Sequence, residues 1–398
     1  MTGATRLSRL AAAVARALPH APALARRLAA AGLAPADLAT PGALDRLPVL
    51  AKAELMRLQA ADPPFAGFLG CPTEGIGHVF VSPGPIMEPV PADDADGMGM
   101  GRIFAAAGLG PGDVALNTWS YHLVPAGLIF DRGLRSVGAT VVPAGPGQTE
   151  LKLALIASLG VTAFLGSASH FETVAAAWAA RNGPTRGGWT LRHAFLVGEP
   201  GDWPARRARI EAEHGVAVHT AYGTADLGLV GHEEPGRAGY LTHPDRLVQV
   251  CDPETGAPLP AGAPGQVVVS TLNPGWPMIR FGTGDVARAM EISPDGFVAR
   301  LGPIEGRVGA GVKVREIFVY PDHLERLAAE LGGQGRAARL RIDREGPRDL
   351  LTLELTGPPV AEADVRDAFR RITRLRLDRV VAVAGFTIPQ PLHDARRR

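Results

Sequence analysis

The stretch from residue 113 to residue 223 constrains the fold more than any other. "DVALNTW" reads as a strand, "LVPAGLIFDRGLRSVG" as a helix, and "ATVVPAG" as a strand again. "TELKLALIASLG", "VTAFLGS", "HFETVAAAWAARNG", "LRHAFLVGEP", "DWPARRARIEAEHG" and "VAVHTAYG" continue the alternation. Strands separated by helices are joined by crossovers, so they build a largely parallel sheet covered by helices. Such sheets take ligands at the carboxyl ends of their strands, where this sequence places glycine-rich turns.

The flanks differ. Residues 1 to 60 look helical, punctuated by Pro19, Pro22, Pro35 and Pro41, and "ADLATPGALDRLPVLAKAEL" gives two short helices around a turn. No acidic residue precedes Asp37, a composition shared with transit peptides. Leu7, Leu10, Val14 and Leu18 fall on one helical face, however, which predicts a packed surface helix of the mature protein. From about 240 to 300 the text is β-rich, with "DPETG" and "SPDG" as hairpin turns. After Gly306 comes a smaller α+β segment. The expected fold is α/β: a large N-terminal domain, 1–305, of mainly parallel sheets flanked by helices, with a β-rich subdomain at about 240–305. A small α+β C-terminal domain, 306–398, follows.

The 398 residues suit two or three domains, and 46% apolar content allows a large core. A net charge of +1 argues against a nucleic-acid partner. The longest apolar run, "LALIASLGVTAFLG", reads as a helix ending at Gly160 and then a strand, so no membrane partner is expected. Cys71 and Cys251 make neither a disulfide framework nor a zinc motif, and His232, His243 and Cys251 match no metal-ligand spacing. The cytoplasm is the expected compartment.

Three clusters carry candidate chemistry. In "AYGTADLG", Gly223 permits close backbone approach and Asp226 is a carboxylate suited to Mg²⁺ beside a phosphate. In "IRFGTGDVA", Asp285 follows Thr283 and Gly284 at a β-turn, placed to accept hydrogen bonds from ribose hydroxyls. In "EGRVGAGVKVREIFVYPDHLE", Arg307 precedes a glycine-rich joint. Taken singly, each reads as an ordinary turn or loop. Taken in order, "LVGEP", "AYGTAD", "RFGTGD" and "GRVGAGVKVREIFVYPDHLE" resemble the adenylate-forming enzymes, most closely the phenylacetate–CoA ligase family. "APADLATPGALDRLPVLAKAEL" and "VGATVVPAGPGQTELKLALIASLGVTAFLGSAS" extend the resemblance over nearly the whole chain.

The resemblance implies activation of a carboxylic acid with Mg-ATP to an acyl-adenylate, then attack by the thiol of coenzyme A or of a carrier protein. It implies a small C-terminal domain that rotates between the two steps. By motif matching, Gly198, Glu199 and Pro200 border the adenine and Tyr222 stacks near it, with Gly223 and Thr224 beside the nucleotide. Asp226 stands where the family has a Mg-binding Glu and is the expected catalytic and metal residue. Asp285 holds the ribose, with Arg307 nearby as a second catalytic and nucleotide residue. Tyr121, His122 and Ala221 line the acyl pocket, which with Trp119 suits an aromatic acid. A homodimer is the base-rate expectation.

The departures matter as much. The family's phosphate loop reads Ser-Ser-Gly-Thr-Thr-Gly-Lys-Pro. Here "SPGPIMEP" keeps only Ser82, Gly84 and Pro89. Pro83 and Pro85 each remove an N–H, Ile86 brings no hydroxyl, and Glu88 puts a carboxyl where the family has Lys. The family's C-terminal Lys is missing from "FTIPQPLHDARRR", and the hinge is Gly309-Ala310 instead of an acidic residue. Three activities fit these facts. The first is a ligase with replacement cations from Arg280, Arg315 or Arg396 to Arg398. The second is an impaired homologue binding AMP, an acyl group or a protein as an accessory subunit. The third is an enzyme keeping only the thioester or acyl-transfer half-reaction.

Overall fold

A computed structural model describes residues 5–82, 86–197, 203–234, 236–308, 312–315, 317–319, 321–332, 336–346, 348–386 and 391–397. The chain forms two compact units. The first holds Met1–Gly166, His170–Val197 and Arg209–Gly306, and the second holds Ser167–Ser169, Gly198–Ala208 and Arg307–Arg398.

Helix α1 (Arg6–Ala17) starts at Thr5, whose hydroxyl accepts the Ser8 N–H, and is followed by α2 (Pro22–Ala30). Leu7, Leu10 and Val14 make one buried stripe, packed in a cluster with Leu247, Ile279 and Phe297. The amphipathic face read from the sequence is therefore core. A short strand β1 (Leu50–Ala51) leads directly into α3 (Lys52–Ala61). Strands β2 (Ile76–Ser82) and β3 (Ile86–Pro91) pair as an antiparallel hairpin, Phe80 opposite Glu88 and Ser82 opposite Ile86.

After α4 (Gly101–Ala106) comes the alternating region: β4 (Val114–Asn117), α5 (Ala126–Ser136), β5 (Thr140–Pro143), α6 (Thr149–Leu159), β6 (Ala163–Gly166), α7 (Ala168–Asn182), β7 (His193–Leu196), α8 (Trp203–His214) and β8 (Ala217–His219). The strands form one parallel sheet in the order β5-β4-β6-β7-β8. The order reverses between β4 and β6, so the crevice of this sheet lies past Asn117 and Gly166.

The apolar run "VAVHTAYG" is not one strand. The chain leaves the parallel sheet at His219, and after Thr220 β9 (Ala221–Thr224) enters a different, antiparallel sheet. That sheet continues through β10 (Gly228–Glu234), β11 (Arg237–Thr242), β12 (Arg246–Cys251), β13 (Pro264–Thr271), β14 (Phe281–Ile292) and β15 (Val298–Leu301). Its order is β12-β13-β14-β15-β11-β10-β9, with β1 running parallel beside β14. The β-rich part thus begins at Ala221, ahead of the expected position 240.

Strand β16 (Gly306–Arg307) spans the boundary in sequence between the units, and the second contains the pair β17 (Val312–Val314) and β18 (Ile317–Val319), and α9 (Pro321–Glu330). A sheet ordered β21-β20-β19-β22 follows, from β19 (Ala338–Glu345), β20 (Arg348–Leu355), β21 (Arg379–Ala382) and β22 (Leu392–Asp394), with α10 (Glu362–Thr373). Leu340, Leu351, Leu353 and Phe369 sit at the centre of its own core.

Candidate functional site

A buried polar cluster in the first unit joins Lys52, Ser82, Glu88 and Asp226. Lys52, the first residue of α3, donates from Nζ to Asp226 Oδ2 at 2.7 Å. The Asp226 side chain is fully buried, while that of Lys52 is 23% exposed. A basic residue in the first turn of a helix opposes the macrodipole, so Lys52 is held there by Asp226 and not by helix propensity. It is also one of only three lysines, with Lys152 and Lys313, in a chain that otherwise uses arginine for its cations. Sequence reasoning missed Lys52; its place against the dipole was the available signal. Its helix is pinned farther along, where the Gln59 amide both donates to Met87 O and accepts from Met87 N, each at 2.8 Å.

Glu88, in β3, completes the cluster. Its carboxyl is buried and accepts the Ser82 hydroxyl at 2.6 Å. Burial and the neighbouring Asp226 carboxylate push Glu88 well above the usual carboxylate range, against the lowering pull of Lys52. Glu88 Oε1 and Asp226 Oδ1 are buried and meet no donor among the described residues. Burial therefore works against the negative charge expected at Glu88. Ser82, the hydroxyl kept from the phosphate loop, is spent on Glu88. Gly84 lies outside the described residues, as do the adenine-bordering Gly198, Glu199 and Pro200 and the hinge Gly309-Ala310.

Asp285 is not at a turn. It sits inside β14, where Gln266 pairs with Val286 and Val268 with Gly282, so three residues oppose one. This bulge places Gly284 at φ +79° and re-aims Asp285. The buried Tyr222 hydroxyl donates to Asp285 Oδ2 at 2.8 Å. The structure thus brings together two residues expected at the nucleoside, 63 positions apart in sequence. Gly223 is required by the protein itself, since a Cβ there would meet the Gly228 carbonyl at 2.6 Å. Thr224 Oγ1 is buried with no partner among the described residues, and Ala221 is buried in the core beneath the parallel sheet's helices.

Tyr121 and His122 follow β4, at the crevice where the strand order reverses. Their loop is anchored by Thr118, which donates from N and Oγ1 to Leu165 O at 3.0 and 2.6 Å. It is tied to the hairpin by Val81 N donating to Leu123 O at 2.7 Å. The Tyr121 hydroxyl accepts from Asn117 Nδ2 at 2.9 Å and donates to Asp131 Oδ2 at 3.2 Å. Burial and Asp131 push its pKa up, so it stays a neutral phenol. Tyr121 therefore presents its ring, with its hydroxyl already used, and His122 is exposed.

The proposed substitute cations are engaged. Arg280 is buried and donates to the Asp45, Leu47 and Gly256 carbonyls. Arg315 donates to Asp378 at 2.7 Å and to Asp349 O. Arg396 is clamped between Asp349 at 2.8 Å and Asp394 at 2.7 Å, with all three side chains nearly inaccessible. Arg398 lies outside the described residues, and Arg307 opens the second unit, half-buried.

Magnesium, which the resemblance implies at Asp226, takes about six oxygens in near-octahedral geometry and keeps several waters. Asp226 has one oxygen on an ammonium, the other against Glu88, and no solvent exposure. Among the described residues no group of three or more His, Cys, Asp or Glu could hold a metal. The side chains as they stand do not fit a resident divalent ion.

No family model matches the chain. A phenylacetate–coenzyme A ligase of Thermus thermophilus is 29% identical, covering 93% of this chain and 86% of the relative. Those of Aromatoleum evansii and Escherichia coli are 27% and 26% identical over 90% and 88% of this chain, and 82% of each relative. Among solved structures, a 2-hydroxyisobutyryl-CoA ligase in complex with its acyl-AMP and CoA superposes with a TM-score of 0.86 at 23% identity, covering 98% of this chain and 89% of that one. An amide bond synthetase from Marinactinospora thermotolerans gives 0.59 at 18% identity, over 82% and 69%. Over about nine-tenths of its length the chain is thus similar to the phenylacetate–coenzyme A ligases, and it has the fold of the adenylate-forming CoA ligases.

Proposed function

We propose that the chain is an AMP-forming acid–CoA ligase, joining a small carboxylic acid, aryl or otherwise, to coenzyme A through an acyl-adenylate. The observation that carries this is the Tyr222–Asp285 pair, held beside the Lys52–Asp226–Glu88 cluster in a chain alike along its length to such ligases. In this reading Asp285, aimed by its bulge, accepts the ribose hydroxyls. Tyr222 orients that carboxylate and offers its ring to the base. Gly198, Glu199, Pro200, Gly223 and Thr224 border the nucleotide, and Ser82 and Gly84 belong to its phosphate side. Lys52 supplies positive charge where the phosphoryl group is attacked, the charge that the missing loop Lys would have brought. The loop carrying Tyr121 and His122, with Ala221, faces the acid. Division into residues 1–305 and 306–398, a cytoplasmic setting, a homodimer and the option of a carrier-protein thiol belong to the same reading.

Calorimetric titration with AMP tests it. The wild type binds AMP, and Asp285→Ala weakens binding by about tenfold or more, for two lost hydrogen bonds of about 0.5–1.5 kcal/mol each. No AMP binding to either form would overturn the reading. A second reading, in which only the thioester half-reaction survives from a preformed acyl-adenylate, is favoured by Ser82 being spent on Glu88 and by the engagement of Arg280, Arg315 and Arg396. Turnover of acyl-adenylate plus CoA, without turnover of acid, ATP and CoA, would select it.

A further inference from the structure

We propose that the Lys52 ammonium, and not a divalent cation, is the counter-ion of Asp226, so that nucleotide binding needs no metal at that carboxylate. The proposal rests on the reading of this site as a nucleotide site. Lys52 Nζ lies 2.7 Å from Asp226 Oδ2, and Asp226 Oδ1 is closed off by Glu88, itself buried and held by Ser82 at 2.6 Å. A metal that retains waters has no place for them at a side chain without solvent exposure. The ammonium and carboxylate already cancel, so a dication entering beside Asp226 would meet a positive neighbour at contact range.

The placement of Lys52 is built. It starts α3 against the helix dipole, immediately after β1 is fixed to β14 through Leu50–Phe281 and Ala51–Gly282 pairing. The far end of α3 is locked to β3 by Gln59 on both backbone groups of Met87. Lysine is used in a chain that writes nearly every other cation as arginine, and a compact ammonium suits a single carboxylate oxygen better than a planar fork.

Two measurements on the full chain decide it. In the first, free Mn²⁺ is followed by electron paramagnetic resonance as it is titrated into wild type, Asp226→Asn, Lys52→Met and the double variant. Wild type is expected to bind no more Mn²⁺ than Asp226→Asn, and Lys52→Met to gain an affinity that Asp226→Asn removes. Wild-type Mn²⁺ binding that disappears in Asp226→Asn would overturn the proposal, whether or not Lys52→Met folds. In the second, AMP is titrated calorimetrically with Mg²⁺ and with EDTA. Its affinity is expected to agree within about twofold, and a Mg²⁺-dependent gain of about tenfold or more that Asp226→Asn abolishes would overturn the proposal. Failure of AMP to bind under either condition would sink the ligase reading, and the Mn²⁺ comparison would still decide the counter-ion.

Discussion

At the scale of single residues, burial changes what a side chain means. Glu88 reads in the sequence as a charge aimed at a triphosphate. In the fold it is a buried carboxyl whose pKa is raised by burial and by the neighbouring Asp226. Repairing the family pattern with Glu88→Lys would bury a second ammonium beside Lys52, so it should destabilise the protein by about 3–5 kcal/mol. Glu88→Gln keeps a neutral donor and should cost under about 1.5 kcal/mol, both read from urea midpoints. A destabilised Glu88→Gln with a stable Glu88→Lys would show that the charge assignment is reversed.

His243 makes the pH argument. Burial, with Arg246 close by, lowers its pKa from 6.5 to about 3, and its Nδ1 accepts the Asp245 N–H at 3.0 Å. The unfolded chain takes up that proton first, so the contribution of His243 is complete above about pH 6.5 and is lost as pH falls toward about 3. The expected slope is about 1.4 kcal/mol per pH unit at most, and His243→Gln should flatten it in unfolding curves taken across that window. An unchanged slope would assign the acid sensitivity to other groups. Neither Lys52 nor the state of Glu88 was legible beforehand, because both depend on Asp226, which is 174 positions from Lys52.

Elements were legible where periodicity carries them. The parallel sheet followed from the alternation of strand and helix text, since each crossover forces its neighbours into register. Two features escaped. A single apolar run crosses from one sheet to another at Thr220, and apolar text does not say which sheet receives it. The bulge at Thr283–Asp285 looks like a turn, because glycine with a short polar residue serves both structures. The α3–β3 clamp gives a prediction at this scale. Gln59→Leu leaves the Met87 N–H and carbonyl without their side-chain partner in a buried setting and should cost about 1–3 kcal/mol in chemical unfolding. A neutral Gln59→Leu would mean the hairpin is held by its other contacts alone.

For the whole molecule, composition and length bounded the answer but did not assign work to the arginines. Arg396 seemed available as a terminal cation. It is instead a buried tie between Asp349 and Asp394 within the second unit's sheet. Arg396→Met should lower that unit's stability by about 1–3 kcal/mol, measured by thermal unfolding, because Asp394 and Asp349 each lose a charge-assisted hydrogen bond while Asp349 keeps Arg344 at 2.9 Å. A variant as stable as wild type would return Arg396 to the list of candidate catalytic cations. The apolar stripe of α1 belongs to the core with Leu247, Ile279 and Phe297, so Leu10→Ala should cost about 2–5 kcal/mol.

The central claim is acid activation through an adenylate, and product stoichiometry tests it most directly. Purified protein is incubated with ATP, coenzyme A and a panel of small aryl and aliphatic carboxylic acids, and AMP and acyl-CoA are quantified together by mass spectrometry. The account predicts that at least one acid yields AMP and acyl-CoA in equal amounts, with neither formed when the acid is omitted. AMP and acyl-CoA absent for every acid would contradict it, and turnover of preformed acyl-adenylate by that same protein would then select the half-reaction reading.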